Sequence, residues 1–403
     1  MRLGHYGTFD VLNYGDLLFP LLVRHRLSDL FDEIVHVSPV GGQPYLDVPA
    51  SISTREATAL SFDAVIVGGG NILHTRTTNL PTYRSVRSSA YADLWVGAAR
   101  QAIRDKAPLV INAAGAPRAP IGLSRPAARA ALRAADYVAV RDEKSAATLQ
   151  LDSDLSLAVV PDTALELSDA APDTRDGRGE WPDELRSAPA HGYVVAHLNG
   201  RYGHRDHQHA AAALDAVATA TGRRICLIGI GECHGDDELA RSVGAAMATA
   251  PIVFDRPRSA RAVIEAIRNS AGYVGSSMHG YVTAASYGVP AALVVDSAAQ
   301  HKFDGLLAHL GGTRVSWKSW DEAAGALTRG GLNALGRLDT TRARKAINAH
   351  WDEVRRVLTD RPARSGDVHV ALRAGPYRAS VHLPAEARQL IRDARHRSRR
   401  LLR

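Results

Sequence analysis

Cysteine is nearly absent. Of 403 residues only Cys226 and Cys233 carry a thiol, too few for a disulfide framework, and neither is flanked by the partner pair a structural zinc site needs. Long apolar runs are missing too. No segment offers the eighteen or so apolar residues of a membrane span, and the opening MRLGHYGTFDVLNYGD interrupts any leader-like apolar core with Gly, His, Asn and Asp. The expectation is a cytoplasmic chain, with a peripheral position at the inner membrane face left open. Neither GxGxxG nor GxxxxGK followed by Ser or Thr occurs, which argues against dinucleotide cofactors and P-loop ATP chemistry.

A broad basic surface is also lacking. The formal net charge is +7, but the final stretch RQLIRDARHRSRRLLR, 388–403, holds seven arginines against Asp393 alone and accounts for nearly all of the excess. This distribution gives no groove for DNA or RNA, so no nucleic-acid partner is expected. The tail reads as an amphipathic basic helix, suited either to an anionic membrane surface or to packing on the first domain.

What is present is a rhythm of short apolar runs separated by helical patterns. DAVIVGGG at Asp63, PLVINAAG at Pro108, YVAVRD at Tyr137 and LAVVPD at Leu157 are followed, after a break rich in Pro, Gly and charge, by YVVAHLN at Tyr193, RICLIGIG at Arg224, PIVFD at Pro251, GYVGSS at Gly272 and PAALVVD at Pro290. Such runs predict parallel strands with crossover helices. The expected layout is a first α/β domain over 1–170, a linker over 171–190, a second over 191–320, and a helical extension with the basic tail over 321–403. Two doubly wound domains leave a cleft facing the carboxyl ends of both sets of strands.

The motifs fall at those strand ends. NYGD brings Asn13 and Asp16 to a helix start, where Asp16 can cap it. GGGN, with Gly69, Gly70 and Asn71, lets a ligand approach backbone amides after a strand. Arg141 in RDEKS is aimed at the cleft, where it can fork onto a carboxylate or phosphate or pair with Asp142 or Asp162. Asp162 takes the equivalent spot after the next strand. His197 and Asn199, and Glu232 on the following strand end, suit contact with an acceptor sugar. In GSSMHGYVTAASYGVP, His279 follows Ser276 and Ser277 and opens a helix, which suits proton transfer near neutral pH, and Gly280 leaves room beside it. The histidines of HLNGRYGHRDHQH, among them His204, His207 and His209, read as solvent-exposed, and no metal site is expected.

Taken in order, NYGD, DAVIVGGGN, VRDEKSAATL, VVPDTAL, SSMHGYVTAASYGVPA and HKFDGLLAHLG resemble the motif set of the polysaccharide pyruvyl transferase family over roughly residues 4–312. The resemblance implies two Rossmann-like domains in a GT-B-like arrangement. It also implies transfer of pyruvate from phosphoenolpyruvate, a co-substrate rather than a cofactor, onto a saccharide as a ketal, with His279 and Arg141 in the catalytic positions. The sequence departs from the family at one place. Many members carry Arg-Leu-His-Gly where this chain has Ser277-Met278-His279-Gly280, so either Arg256, Arg258 or Lys302 replaces the charge expected on the donor, or this branch uses another substrate. The acceptor's linkage, to lipid or to nucleotide, stays open, as does oligomeric state. A GT-B-like glycosyltransferase using a nucleotide-activated sugar and a non-catalytic saccharide-binding paralogue are the alternatives.

Overall fold

The computed structural model describes residues 1–151, 153–172, 182–186, 188, 190–199, 206–295 and 297–360, the side chains of 297–302 excepted, together with Leu372, Arg373, Tyr377, His382 and Ala387. Most of the expected linker, His204 and the basic tail lie outside the described residues.

The first sheet is built from β1 (Arg2–Tyr6), β2 (Glu33–Ser38), β3 (Ser51–Ser53), β4 (Ala64–Gly68), β5 (Leu109–Ala114), β6 (Tyr137–Val140) and β7 (Ala158–Val159), in the spatial order β3-β2-β1-β4-β5-β6-β7. Its strand pairs are parallel, as in Leu3 beside Ala64 and Val65 beside Leu109. The second sheet uses β8 (Tyr193–His197), β9 (Arg224–Ile228), β10 (Ile252–Phe254), β11 (Gly272–Gly275), β12 (Ala291–Val294) and, after the short β13 (Gly311–Gly312), β14 (Ser316–Trp317), in the order β10-β9-β8-β11-β12-β14. The strand order reverses between β1 and β4 in one sheet and between β8 and β11 in the other. At such a reversal the crossover helices leave on opposite faces and open a crevice at the carboxyl ends of the strands. Every residue of β4 and of β8 is buried, which is why these runs are continuously apolar rather than alternating.

One hydrophobic core joins the two sheets. Leu17, Leu18 and Leu22 from the helix Tyr14–Leu27 share it with Val263 and Ile264 from Ala260–Arg268 and with Tyr281 and Val282 from Met278–Ser286. Polar seams lock the same interface. The Tyr14 amide donates to the Ile230 carbonyl at 2.9 Å, and the Asp47 carboxylate receives the Ala260 and Arg261 amides at 3.0 and 2.8 Å, so a side chain of the first sheet's half caps a helix of the second. The long helix Thr341–Asp360 then crosses back to the first sheet. It buries Ile347, Trp351 and Val354 in the shared core, and His350 Nε2 meets Asn112 Oδ1 at 2.7 Å. The cleft therefore lies between halves held by apolar packing, hydrogen bonds and a returning helix.

Candidate functional site

Two loops leave the first sheet at its reversal point. After β1 the chain runs through Thr8, Val11 and Asn13 into the helix Tyr14–Leu27, and after β4 it turns through Gly70, Asn71 and Ile72. From the second sheet come Asn199 after β8, Ile230, Cys233, His234 and Asp236 after β9, and Ser276 to His279 after β11. Together with Leu80, Tyr91, Asp16 and Arg141 they enclose a cavity of about 150 Å³.

His279 is placed by its helix. Ser277 is the N-cap of Met278–Ser286, accepting from the Gly280 amide at 3.3 Å, so His279 stands in the first turn, where helix amides favour anions. The Thr283 hydroxyl donates to the His279 carbonyl at 2.7 Å and meets the Tyr14 hydroxyl at 2.8 Å. The ring is edge-on to Phe19, with centroids 5.8 Å apart. A Cβ on Gly15 would stand 2.0 Å from His279 Nδ1. Gly15, the glycine of NYGD, therefore makes room for the imidazole.

Asp162 is the common partner of the two leading residues. Its Oδ2 lies 3.7 Å from His279 Nε2 and 3.6 Å from an Arg141 terminal nitrogen, and none of these three atoms has a hydrogen-bond partner of its own. Burial would push the Asp162 carboxyl up, but the nearby His279, the charge of Arg141 and the Ala164 amide outweigh it and hold the carboxyl below its usual range. Arg141 is 6% exposed and donates to Asn71 Oδ1 at 2.7 Å. A Cβ on Gly115 would come 2.3 Å from that oxygen and 2.8 Å from Arg141 Nε, so a second glycine is required for the pair. Arg141 is ion-paired, with Asp142 3.5 Å from its Nε, and it also lines the cavity. Asp16 is not a cap. It lies inside the helix, accepts from Asn13 Nδ2 at 2.8 Å, and is raised by burial against the opposing charge of His279, hydrogen bonds from Asn13 and Thr8, and the charge of Arg141.

Asn13, Asp16, Gly70, Asn71, Arg141, Asn199, Ser276, Ser277 and His279 therefore line one cavity, as expected of a shared site. Other candidates do not reach it. Gly69 packs on Phe19, and a Cβ on Gly280 would fall 2.4 Å from the Tyr273 hydroxyl, so both serve close packing. His197 is wholly buried and does not touch the cavity; its Nε2 meets Asp236 Oδ2 at 2.9 Å, and it is Asp236 that forms the wall. Arg256 lies outward, held by Asp237 at 2.9 Å and 4.0 Å from Glu232, and Arg258 is exposed. None of Glu232, Arg256 and Arg258 lines the cavity. Arg256 and Arg258 thus stand apart from the cavity that Ser277 lines, Arg256 drawn outward onto Asp237. The Lys302 side chain lies outside the described residues. His207 is exposed, and His209 meets Asp321 at 2.7 Å.

Polar wall residues also escaped the sequence reading. Cys233, with His234 Nδ1 3.4 Å from its sulfur, and Asp236 follow β9 in the turn GECHGDD. Position after a strand was the available signal. Among the described residues no cluster of three or more His, Cys, Asp or Glu is arranged to hold a metal ion.

Residues 13–297 match the sequence pattern described as polysaccharide pyruvyl transferase. No curated protein matches the chain by sequence. Among solved structures, the UDP-GlcNAc 2-epimerase from Neisseria meningitidis bound to UDP-GlcNAc is similar with a TM-score of 0.56 at 11% identity, covering 88% of this chain and 100% of that one. The UDP-GlcNAc 2-epimerase from Methanocaldococcus jannaschii is similar at 0.55 and 12% identity, covering 89% and 100%. At such identities the likeness is one of fold, and it is the two-domain, GT-B-like fold expected from the sequence.

Proposed function

The chain belongs to the polysaccharide pyruvyl transferase family, a family of transferases, and we propose that its cleft transfers pyruvate from phosphoenolpyruvate to a saccharide with His279 as general acid. One observation carries the reading: His279 and Arg141 both line a cavity at the double reversal point and converge on the buried Asp162 carboxylate, 3.7 and 3.6 Å away.

The chemistry follows from that wall. The Arg141 guanidinium, oriented by Asn71, forks onto the donor carboxylate or phosphate, and the first-turn amides beside Ser277 take the remaining anionic oxygens. The His279 imidazolium, kept beside the charged Asp162, protonates the donor methylene carbon. The double bond's electron pair forms the new C–H bond, leaving an oxocarbenium-like centre at the neighbouring carbon. A sugar hydroxyl adds there and loses its proton. The C–O bond to phosphate then breaks, and a second hydroxyl adds and loses its proton, closing the ketal with release of inorganic phosphate. Asp236 and Asn199 on the facing wall, together with Asn13 and Asp16, offer acceptors and donors for sugar hydroxyls. No proton passes through His197 in this scheme; it positions Asp236.

A second reading is favoured by the cavity's charge. Among the described residues Arg141 is the one guanidinium on its lining, against the carboxylates of Asp16 and Asp236, and no second cation stands beside Ser277. That balance suits a donor less densely anionic than phosphoenolpyruvate, such as a nucleotide-activated sugar. The deciding experiment offers the purified protein carbon-labelled phosphoenolpyruvate or nucleotide sugars with a panel of saccharides and follows mass gain and phosphate release. Label transfer from phosphoenolpyruvate supports the first reading; a gain that needs the nucleotide sugar supports the second.

A further inference from the structure

The loops that leave β4 and β5 form a surface whose composition the cleft chemistry does not explain. Over residues 71–92 the chain carries Arg76, Arg84 and Arg87 and no acidic residue; over 115–135 it carries Arg118, Arg125, Arg129 and Arg133 and again no acidic residue. Arg76, Arg84, Arg118 and Arg125 are exposed, and none of the four forms an ion pair with a described residue. The same loops hold an exposed apolar tip. Ile121 and Leu123 are 62% and 65% exposed, flanking Gly122. Gly122 has φ +58°, and a Cβ placed there would meet nothing within 4 Å, so the tip projects into open space. The other large apolar side chains exposed among the described residues, Met1 and Leu46, stand singly.

This tip is held rigidly. The Ser124 hydroxyl meets the Thr75 hydroxyl at 2.8 Å, tying the two loops together, and Ser124 also lies 3.0 Å from the Ile121 carbonyl, closing the turn. The Leu73 amide donates to the Gly115 carbonyl and the Gly115 amide to the Gly70 carbonyl, at 3.1 and 2.8 Å, so the pair continues directly from the cavity wall. The inner side of the first loop supplies Leu80 and Tyr91 to the cavity. A tied apolar apex with exposed arginines that make no ion pair on the same two loops, one of which lines the cleft, has a defined complement. Soluble anions would match the arginines but leave Ile121 and Leu123 in water, whereas an anionic bilayer accepts both, the apex in the acyl boundary and the arginines at the headgroups.

We propose that the 117–125 loop, with Arg118 on it and Arg76 beside it, docks the protein on an anionic lipid surface and presents the cleft mouth to acceptors carried there. Docking stands independently of the transfer reading, because it is measured without turnover. The full-length protein is sedimented with vesicles of phosphatidylcholine, with and without phosphatidylglycerol, at low and high salt. Wild type is expected to bind the anionic vesicles in a salt-sensitive manner. The double variant Ile121→Asp/Leu123→Asp and the double variant Arg76→Glu/Arg118→Glu should each weaken that partitioning by at least about tenfold, with unchanged melting temperature, because all four side chains are exposed. Wild type that ignores anionic vesicles at low salt overturns the proposal. So does binding that survives both double variants, which would place the contact elsewhere, or binding that depends on the arginines but not on Ile121 and Leu123, which would make the surface a site for soluble anions.

Discussion

Gly15→Ala is the sharpest perturbation of the site. The substitution adds one methyl group in a helix where Gly15 has an ordinary φ. That methyl would stand 2.0 Å from His279 Nδ1 and 2.5 Å from Cγ, whereas real Cβ contacts stay above 3.0 Å. Gly15 is fixed by a buried helix, so the imidazole has to retreat, by about 1 Å, a displacement that typically costs about a hundredfold in rate when it moves a catalytic group. Folding is less affected. Alanine gains about 0.5 to 1 kcal/mol over glycine in a helix, offsetting part of the cost of repacking the ring against Phe19. Steady-state turnover with the active donor, paired with thermal melts, should show kcat down about a hundredfold and a melting temperature within a few degrees of wild type. A variant with kcat within twofold of wild type refutes the claim that the position of His279 limits the reaction.

Further outcomes follow from the same geometry. Arg141→Lys keeps the charge near Asp162 but loses the fork and the bond to Asn71, and donor KM should rise at least about tenfold; an unchanged KM and kcat would leave Arg141 a structural ion-pair partner. Arg256→Ala and Arg258→Ala should each change donor KM by no more than about twofold, as expected of exposed positions away from the ligand; a large rise would restore them as the missing cation. Acid should destabilise the protein through its buried histidines. Burial pushes His350 and His74 down to about 4 and His36 down to about 3, from an ordinary 6.5. Below pH 6.5 the unfolded chain takes up protons that the native rings refuse, so stability is full above that pH and falls toward pH 4, by up to about 1.4 kcal/mol per pH unit for each ring. Chemical denaturation of His350→Gln between pH 7 and 5 should show a shallower fall than wild type; an identical slope would exclude His350 as a contributor.

The sequence revealed the parts of this molecule that local physics specifies. AVIV in β4 and YVVAH in β8 are apolar throughout because both faces of their sheets are covered, and a continuous run bounded by turn residues can be read without partners. The three-residue β3 with sequence SIS, and Gly311–Gly312 in β13, owe their strand character to the neighbour they pair with, and nothing local announces them. The site divides in the same way. Asn71, Arg141, Asp162 and His279 could be placed because each follows a strand, and strand ends face the crevice. That rule does not say which way a side chain turns once it has left its strand: Glu232 misses the cavity that Cys233 and Asp236 of the same turn line, and Arg256 after β10 is drawn outward onto Asp237. His197 ends a central strand but is wholly buried under the wall it supports. Gly15 and Gly115 matter for what approaches them from residues far away in sequence, His279 and Arg141, and only the folded chain brings those pairs together.

The central claim is that His279 delivers a proton to the methylene of a phosphoenolpyruvate donor. Running the reaction in heavy water and weighing the saccharide product tests it directly. Wild-type protein should yield a pyruvyl methyl group carrying a single solvent deuterium, with phosphate released in step, and His279→Gln should form product at least about a hundredfold more slowly. Deuterium-free product, or wild-type turnover in His279→Gln, would contradict the account.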